Sequence, residues 1–157
     1  MGVEIERRFI ASPQVLNLDL GPGHDIVQGY LWAGPQGNAR VRVDGDRGLL
    51  TCKGPKFGFC RNETEIPIPH AAALDLLAAL PAETLIHKTR YAVAVGGLGW
   101  AVDVFGGRHQ GLIIGEIELT DPAQMFLRPD WAVREVTWDP RYGNSSLALS
   151  GWQPVAA

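Results

Sequence analysis

The sequence predicts a β-rich α+β fold, an eight-stranded antiparallel β-barrel with peripheral helices, on three observations. Extended segments with alternating or β-branched residues recur eight times along the 157 residues. Short turns containing glycine or proline separate most of them, which is hairpin spacing and implies antiparallel neighbours. Five segments carry charges of one sign at every second position, so each has a charged face. Solvated surfaces have no reason to sort charge strand by strand, whereas a barrel with those faces inward does.

The first segment, residues 2–10, alternates Glu4, Glu6 and Arg8 with Val3, Ile5, Arg7 and Phe9. Residues 26–32 form the second, and Gly34-Pro35-Gln36-Gly37 turns the chain into 38–43, where Arg40 and Arg42 alternate with Ala39, Val41 and Val43. Asp44-Gly45-Asp46 leads to 48–54, which carries Lys53; residues 61–68 then alternate Glu63 and Glu65 with Asn62, Thr64 and Ile66. Between Pro69 and Pro81, residues 70–80 place Ala71, Leu74, Leu77 and Ala78 on one face of a helix of about three turns. Residues 84–95 carry Lys88 and Arg90, 100–105 carry Asp103, and 112–119 carry Glu116 and Glu118. Two short helices are expected after these, at 121–126, with Asp121 and Pro122 as an N-cap and first-turn pair, and at 144–149.

With 14 basic and 17 acidic residues the chain has a formal charge of −3, and 46% of it is apolar, which suits a single domain spanning 1–157. An acidic total argues against bulk attachment to nucleic acid. No apolar run spans a bilayer, and the first nine residues carry four charges where a signal peptide would be apolar, so the expected address is cytoplasmic with no membrane partner. Cys52 and Cys60 are too few for a disulfide framework or a zinc site. There is no Gly-x-x-x-x-Gly-Lys loop, His-Glu-x-x-His pair or Gly-x-Ser-x-Gly elbow, and His24, His70, His87 and His109 are isolated. Asp44-Gly45-Asp46 lacks the rest of a calcium-loop series and reads as a hairpin turn.

If the charged faces converge, six cationic side chains (Arg8, Arg40, Arg42, Lys53, Lys88 and Arg90) meet seven carboxylates (Glu4, Glu6, Glu63, Glu65, Asp103, Glu116 and Glu118). One or two divalent cations would make that lumen net positive and suited to a polyanion.

Glu4-Ile5-Glu6-Arg7-Arg8 resembles the Glu-x-Glu-x-Lys signature of the CYTH superfamily, the triphosphate tunnel metalloenzymes. The likeness continues through Gln28-Gly29-Tyr30-Leu31, Arg40-Val41-Arg42, Leu50-Thr51-Cys52-Lys53-Gly54 and Arg61-x-Glu63-x-Glu65-x-Pro67. It extends to Lys88-Thr89-Arg90-Tyr91, Val102-Asp103-Val104-Phe105, Glu116-Ile117-Glu118-Leu119, Glu135-Val136-Thr137 and Arg141-Tyr142-x-Asn144. Together these imply an eight-stranded tunnel open at both ends, in which basic residues hold a triphosphate and acidic residues hold Mg²⁺ or Mn²⁺. Short bacterial-type members resemble inorganic triphosphatases; thiamine triphosphatases, RNA triphosphatases and class IV adenylate cyclases share the scaffold. A noncatalytic module for polyphosphate or nucleotides is a further alternative, and a homodimer is compatible with the reading.

On this resemblance Arg8, Arg40, Arg42, Lys53, Lys88 and Arg90 are the expected substrate-binding residues, and Glu4, Glu6, Asp103, Glu116 and Glu118 the expected metal ligands. Arg8, Tyr30 and Lys88 are the expected catalytic residues, with the Tyr30 hydroxyl either orienting water near Arg8 or simply satisfied at a barrel end. Arg61 lines the tunnel mouth or is solvated, while Glu63 and Glu65 bind metal or orient cations. Position 8 departs from the signature: an arginine stays protonated, so it cannot accept a proton as a lysine can.

Overall fold

The glycine turns fix the strand pairing. At Gly37 the backbone has φ +128° and a Cβ would lie 2.0 Å from the Lys53 carbonyl oxygen, so only glycine fits there. Gly96 and Gly97 both adopt positive φ in a two-residue hairpin turn. The protein is described by a computed structural model over residues 2–151; Met1 and residues 152–157 of the expected 1–157 unit lie outside the described residues.

All eight expected strands form, as β1 (Gly2–Ala11), β2 (His24–Gly34), β3 (Gly37–Asp44), β4 (Arg47–Lys53), β5 (Cys60–Ile68), β6 (Ile86–Val95), β7 (Leu98–Phe105) and β8 (Ile113–Glu118). A ninth, β9 (Ala132–Glu135), was not legible. The sheet runs β5-β4-β3-β2-β6-β7-β8-β1 and closes through a further β5–β1 pairing. Each pairing is antiparallel, so the barrel has eight strands as expected. One edge of β1 is shared: residues 2–5 pair with β5, and Phe9, Ile10 and Ala11 pair with β9.

Helix α1 (His70–Ala78) forms where it is expected but presents a different face: Ala73 and Leu77 pack on Val41, Val27 and Val43 of the barrel's outer face, while Ala71, Leu74 and Ala78 are exposed. Outward residues Phe9, Trp100, Val102 and Ile117 build a second cluster with Trp131 and Phe126. The expected helix at 121–126 does not form. Asp121 Oδ1 accepts from Ala123 N at 2.7 Å and the Asp121 carbonyl accepts from Gln124 N at 3.0 Å, but no further turn is added. The chain instead extends so that Phe126 meets the Trp100 ring at 5.8 Å and the Phe9 ring at 6.1 Å, and aromatic burial overrides the local cap signal. No helix among the described residues is long and apolar enough to cross a membrane.

A third cluster lies inside one end of the barrel. Ile10, Tyr30, Ile86, Phe105 and Ile114 share strand parity with the inward charges, and they pack on Tyr142, Leu147 and Ala148 of the C-terminal segment. That segment is a single 3-10 turn, Pro140–Tyr142, running into α2 (Asn144–Leu149), which forms as expected. Arg108 ties α2 down by donating Nη2 to the carbonyls of Leu147, at 2.6 Å, and Ala148.

Candidate functional site

Alternation delivers the charged positions to one enclosed space. A cavity of about 470 Å³ is lined by Glu4, Glu6 and Arg8 from β1, Tyr30 from β2, Arg40 and Arg42 from β3, and Lys53 from β4. Arg61, Glu63 and Glu65 from β5, Arg90 from β6, and Glu116 and Glu118 from β8 complete the wall. A second opening of about 290 Å³ shares Glu6, Arg90, Glu116 and Glu118, and its inward positions Ala92, Gly99 and Ala101 are small enough to leave it clear. The other end departs from the expected open tunnel. There the apolar inward residues and α2 fill part of the cross-section, leaving a mouth bordered by Gly34, Pro35, Pro55, Pro140 and Asn144.

Ion pairs hold the acidic and basic strands together. Lys53 Nζ lies 2.5 Å from Glu4 Oε1 and 2.7 Å from Glu63, while Arg61 Nε donates to Glu4 Oε2 at 3.0 Å. Burial favours the neutral Glu4 carboxyl, but Lys53 and Arg61 together hold it down to about 2. Arg42 Nε donates to Gln28 Oε1 at 3.1 Å; burial and then repulsion from Arg40 and Arg90 lower Arg42 to about 10. Thr51 donates to Glu65 at 3.0 Å. Tyr30 is register partner of Arg40 and its hydroxyl lies against that guanidinium, on the wall of the cavity that Arg8 also borders.

Arg8 is held by two contacts. Its Nη1 donates to the Tyr142 carbonyl at 2.9 Å, and its Nε lies 3.2 Å from Glu6. The residue that departs from the signature is therefore also a tie between β1 and the C-terminal segment.

Lys88 and Asp103 share the inward parity but do not border the cavity. Their side chains are wholly inaccessible and bond each other. Asp103 also accepts from Arg90 Nε at 2.6 Å and Nη2 at 2.7 Å, so both its oxygens are taken. Burial lowers Lys88 to about 8 against the pull of Asp103, whose own carboxyl is held below the ordinary range by Lys88 and Arg90 despite burial. Arg90 reaches on to Glu116 Oε2 at 2.6 Å.

The remaining carboxylates suit a hard cation. Glu6 and Glu118 are register partners across β1 and β8, and Glu116 is partner to Arg8. Burial and then the Glu116 charge push the Glu6 carboxyl up to about 7, and burial with Glu4 and Glu63 raises Glu118. Crowded oxygen donors of one sign are the chemistry that a divalent ion neutralises. No three carboxylate, histidine or cysteine groups among the described residues stand ready as a closed cage. Mg²⁺ does not need one, since it combines one or two carboxylates with waters and substrate phosphates.

Residues beyond the expected set also border the cavity. Asn38 continues the parity of Arg40 and Arg42 by two positions and could have been found by extending the alternation. Lys56 stands in the loop between β4 and β5, where no periodicity points to it.

The model of the family described as the CYTH domain matches residues 3–149. A protein of Acetivibrio thermocellus named inorganic triphosphatase is 44% identical over 153 residues, which covers 98% of this chain and 97% of its own length. Another of that name, from Nitrosomonas europaea, is 35% identical over 94% of this chain and 97% of its own. The crystal structure of an inorganic triphosphatase superposes with a TM-score of 0.66 and 30% identity, covering 98% of this chain and 100% of that one.

Proposed function

The chain belongs to the CYTH domain family, and from that footing we propose that it hydrolyses inorganic triphosphate, or a similar linear triphosphate, to release orthophosphate with Mg²⁺ or Mn²⁺ as cofactor. The observation that supports this reading is the cavity itself: seven cationic and six carboxylate side chains border about 470 Å³. The two free cysteines suit a reducing compartment such as the cytoplasm as the place of reaction.

Phosphoryl transfer depends on neutralising spread charge and on positioning. Arg40, Arg42 and Arg90 offer forked donors to phosphoryl oxygens, and Lys53 offers a point charge. Arg8 adds a further donor from β1. Asp103 and Lys88, lying behind Arg90, act on our reading by orienting its guanidinium, not as metal ligand or substrate contact. Glu4, Glu6, Glu116 and Glu118 would hold the cation, which supplies charge neutralisation and a more acidic bound water. Glu63 and Glu65 orient Lys53 and the Thr51 hydroxyl side of the cavity.

Incubation with tripolyphosphate in Mg²⁺ or Mn²⁺, reading orthophosphate, together with ATP, reading cyclic AMP, tests the proposal. Orthophosphate from tripolyphosphate is expected. Cyclic AMP as the dominant product would replace hydrolysis with cyclisation, and tight binding without turnover would leave a binding module.

A further inference from the structure

We propose, resting on the triphosphatase reading, that Lys56 contacts the outer terminal phosphoryl group of the substrate and selects a linear triphosphate with two free ends over one esterified to an organic group. Lys56 borders the cavity from the loop between β4 and β5, beside Gly54 and Pro55 and across from the β2–β3 turn. Two lysines border this space. Lys53 is spoken for by Glu4 and Glu63, whereas Lys56 has no hydrogen bond or ion pair among the described residues.

Lys56 is solvent-exposed at the mouth, but the backbone that carries it is constrained on both sides. Pro55 restricts the backbone on one side, and on the other Phe57 and Cys60 exchange both backbone hydrogen bonds, at 2.9 and 3.1 Å, around Gly58 at φ +66°. The cavity holds a second polar group without a partner. Asn38, register partner of Lys53, also borders the cavity; it is only 7% exposed and its side-chain oxygen is unbonded. Although Lys56 is exposed, desolvation beside the cavity and then the positive charges of Arg8 and Arg61 lower it to about 8, and an arriving anion offsets that repulsion.

Chemistry gives the position its meaning. Without Lys56 the cavity wall has as many cations as carboxylates; Lys56 tips the mouth positive. Inorganic triphosphate carries a free terminal phosphoryl at both ends, while in a nucleoside or other organic triphosphate one end is esterified, so that phosphoryl has one charge fewer and bears an organic group. A cation at the outer end therefore favours the first and gains less from the second.

The test is steady-state turnover of tripolyphosphate and ATP by the wild type, Lys56→Gln and Lys56→Arg, with ATP read as an inhibitor where it is not turned over. Loss of one charge-assisted contact in Lys56→Gln should raise KM for tripolyphosphate about tenfold, more than it lowers kcat. The KM or Ki for ATP should move less than about threefold, and Lys56→Arg should restore most of the tripolyphosphate KM because the charge is kept. An unchanged tripolyphosphate KM in Lys56→Gln, or equal shifts for both compounds, overturns the assignment while a working wild type leaves the triphosphatase reading intact. A wild type that does not turn over tripolyphosphate overturns both.

Discussion

Replacing Asp103 by asparagine removes the one carboxylate that Lys88 touches. Both side chains of that pair have 0% exposure, so the variant leaves an ammonium ion buried without a counter-charge, and Arg90 loses the charged acceptor of its bonds at 2.6 and 2.7 Å. Breaking a buried pair from one side costs about 3–5 kcal/mol, a large share of the ~5–15 kcal/mol that stabilises a domain. At about 2–4 °C per kcal/mol for a chain of this size, the melting temperature should fall by about 6–20 °C. The sign of the pH dependence follows from Lys88. Its folded pKa, about 8, lies below the unfolded value of 10.5, so the unfolded state binds more protons between the two and stability contributed by this group rises with pH. Asp103→Asn lowers the folded value further, so the deficit against wild type should narrow as pH rises through 8 towards 10.5. Thermal melts followed by circular dichroism from pH 7 to about 10 measure this directly. A fall under about 2 °C at pH 7, or a deficit that widens with pH, would refute the claim that Asp103 chiefly balances buried cations.

Glu116→Gln should cut metal-dependent turnover at least ~100-fold, read as orthophosphate release across Mg²⁺ and Mn²⁺ concentrations; near-normal activity would remove Glu116 from the metal site. Arg8→Lys has one nitrogen for two contacts and leaves the Tyr142 carbonyl short of its donor, costing about 1–3 kcal/mol and about 2–12 °C in the melt. An unchanged melt would show that the C-terminal segment is held by its apolar contacts alone. Gly115→Ala would put a Cβ 2.6 Å from the Trp131 ring, whereas at Gly29 the nearest atoms are the mobile ends of Leu80 and Leu85. The first should therefore lower the urea midpoint by an amount equivalent to about 1–3 kcal/mol and the second by less; equal midpoints would show that the Trp131 ring gives way.

The barrel was legible because its strands obey a two-residue period and its turns carry glycine where the backbone demands it. Closure followed from an electrostatic argument, since charges sorted by strand make sense only when strands face one another across a lumen. What escaped was set by tertiary contact. The four residues of β9 are too few for a period, and they are a strand because the edge of β1 beyond β5 leaves backbone groups to be paired. The segment 121–126 carries an N-cap signature, yet Phe126 gains more from the Phe9 and Trp100 rings than one more helical turn would return.

The site divides along the same line. Parity identifies which side chains point inward, and it did so for every charge that borders the cavity from a strand except Arg61, near the start of β5, which it left open between mouth and solvent. Parity does not give depth along the barrel or the partner each charge chooses. Lys88 and Arg90 are indistinguishable in the alternation, but Lys88 is inaccessible and bound to Asp103 while Arg90 extends past Asp103 to Glu116. The longer, forked arginine can satisfy a buried carboxylate and still present a donor to the cavity; the lysine, with one nitrogen already committed, cannot. Loops have no parity at all, which is why Lys56 was invisible until the fold placed Gly54 and Pro55 at the mouth. A charged lumen read from sequence is thus an inventory of groups, and the ion pairs formed within it decide which of them remain free to meet a ligand.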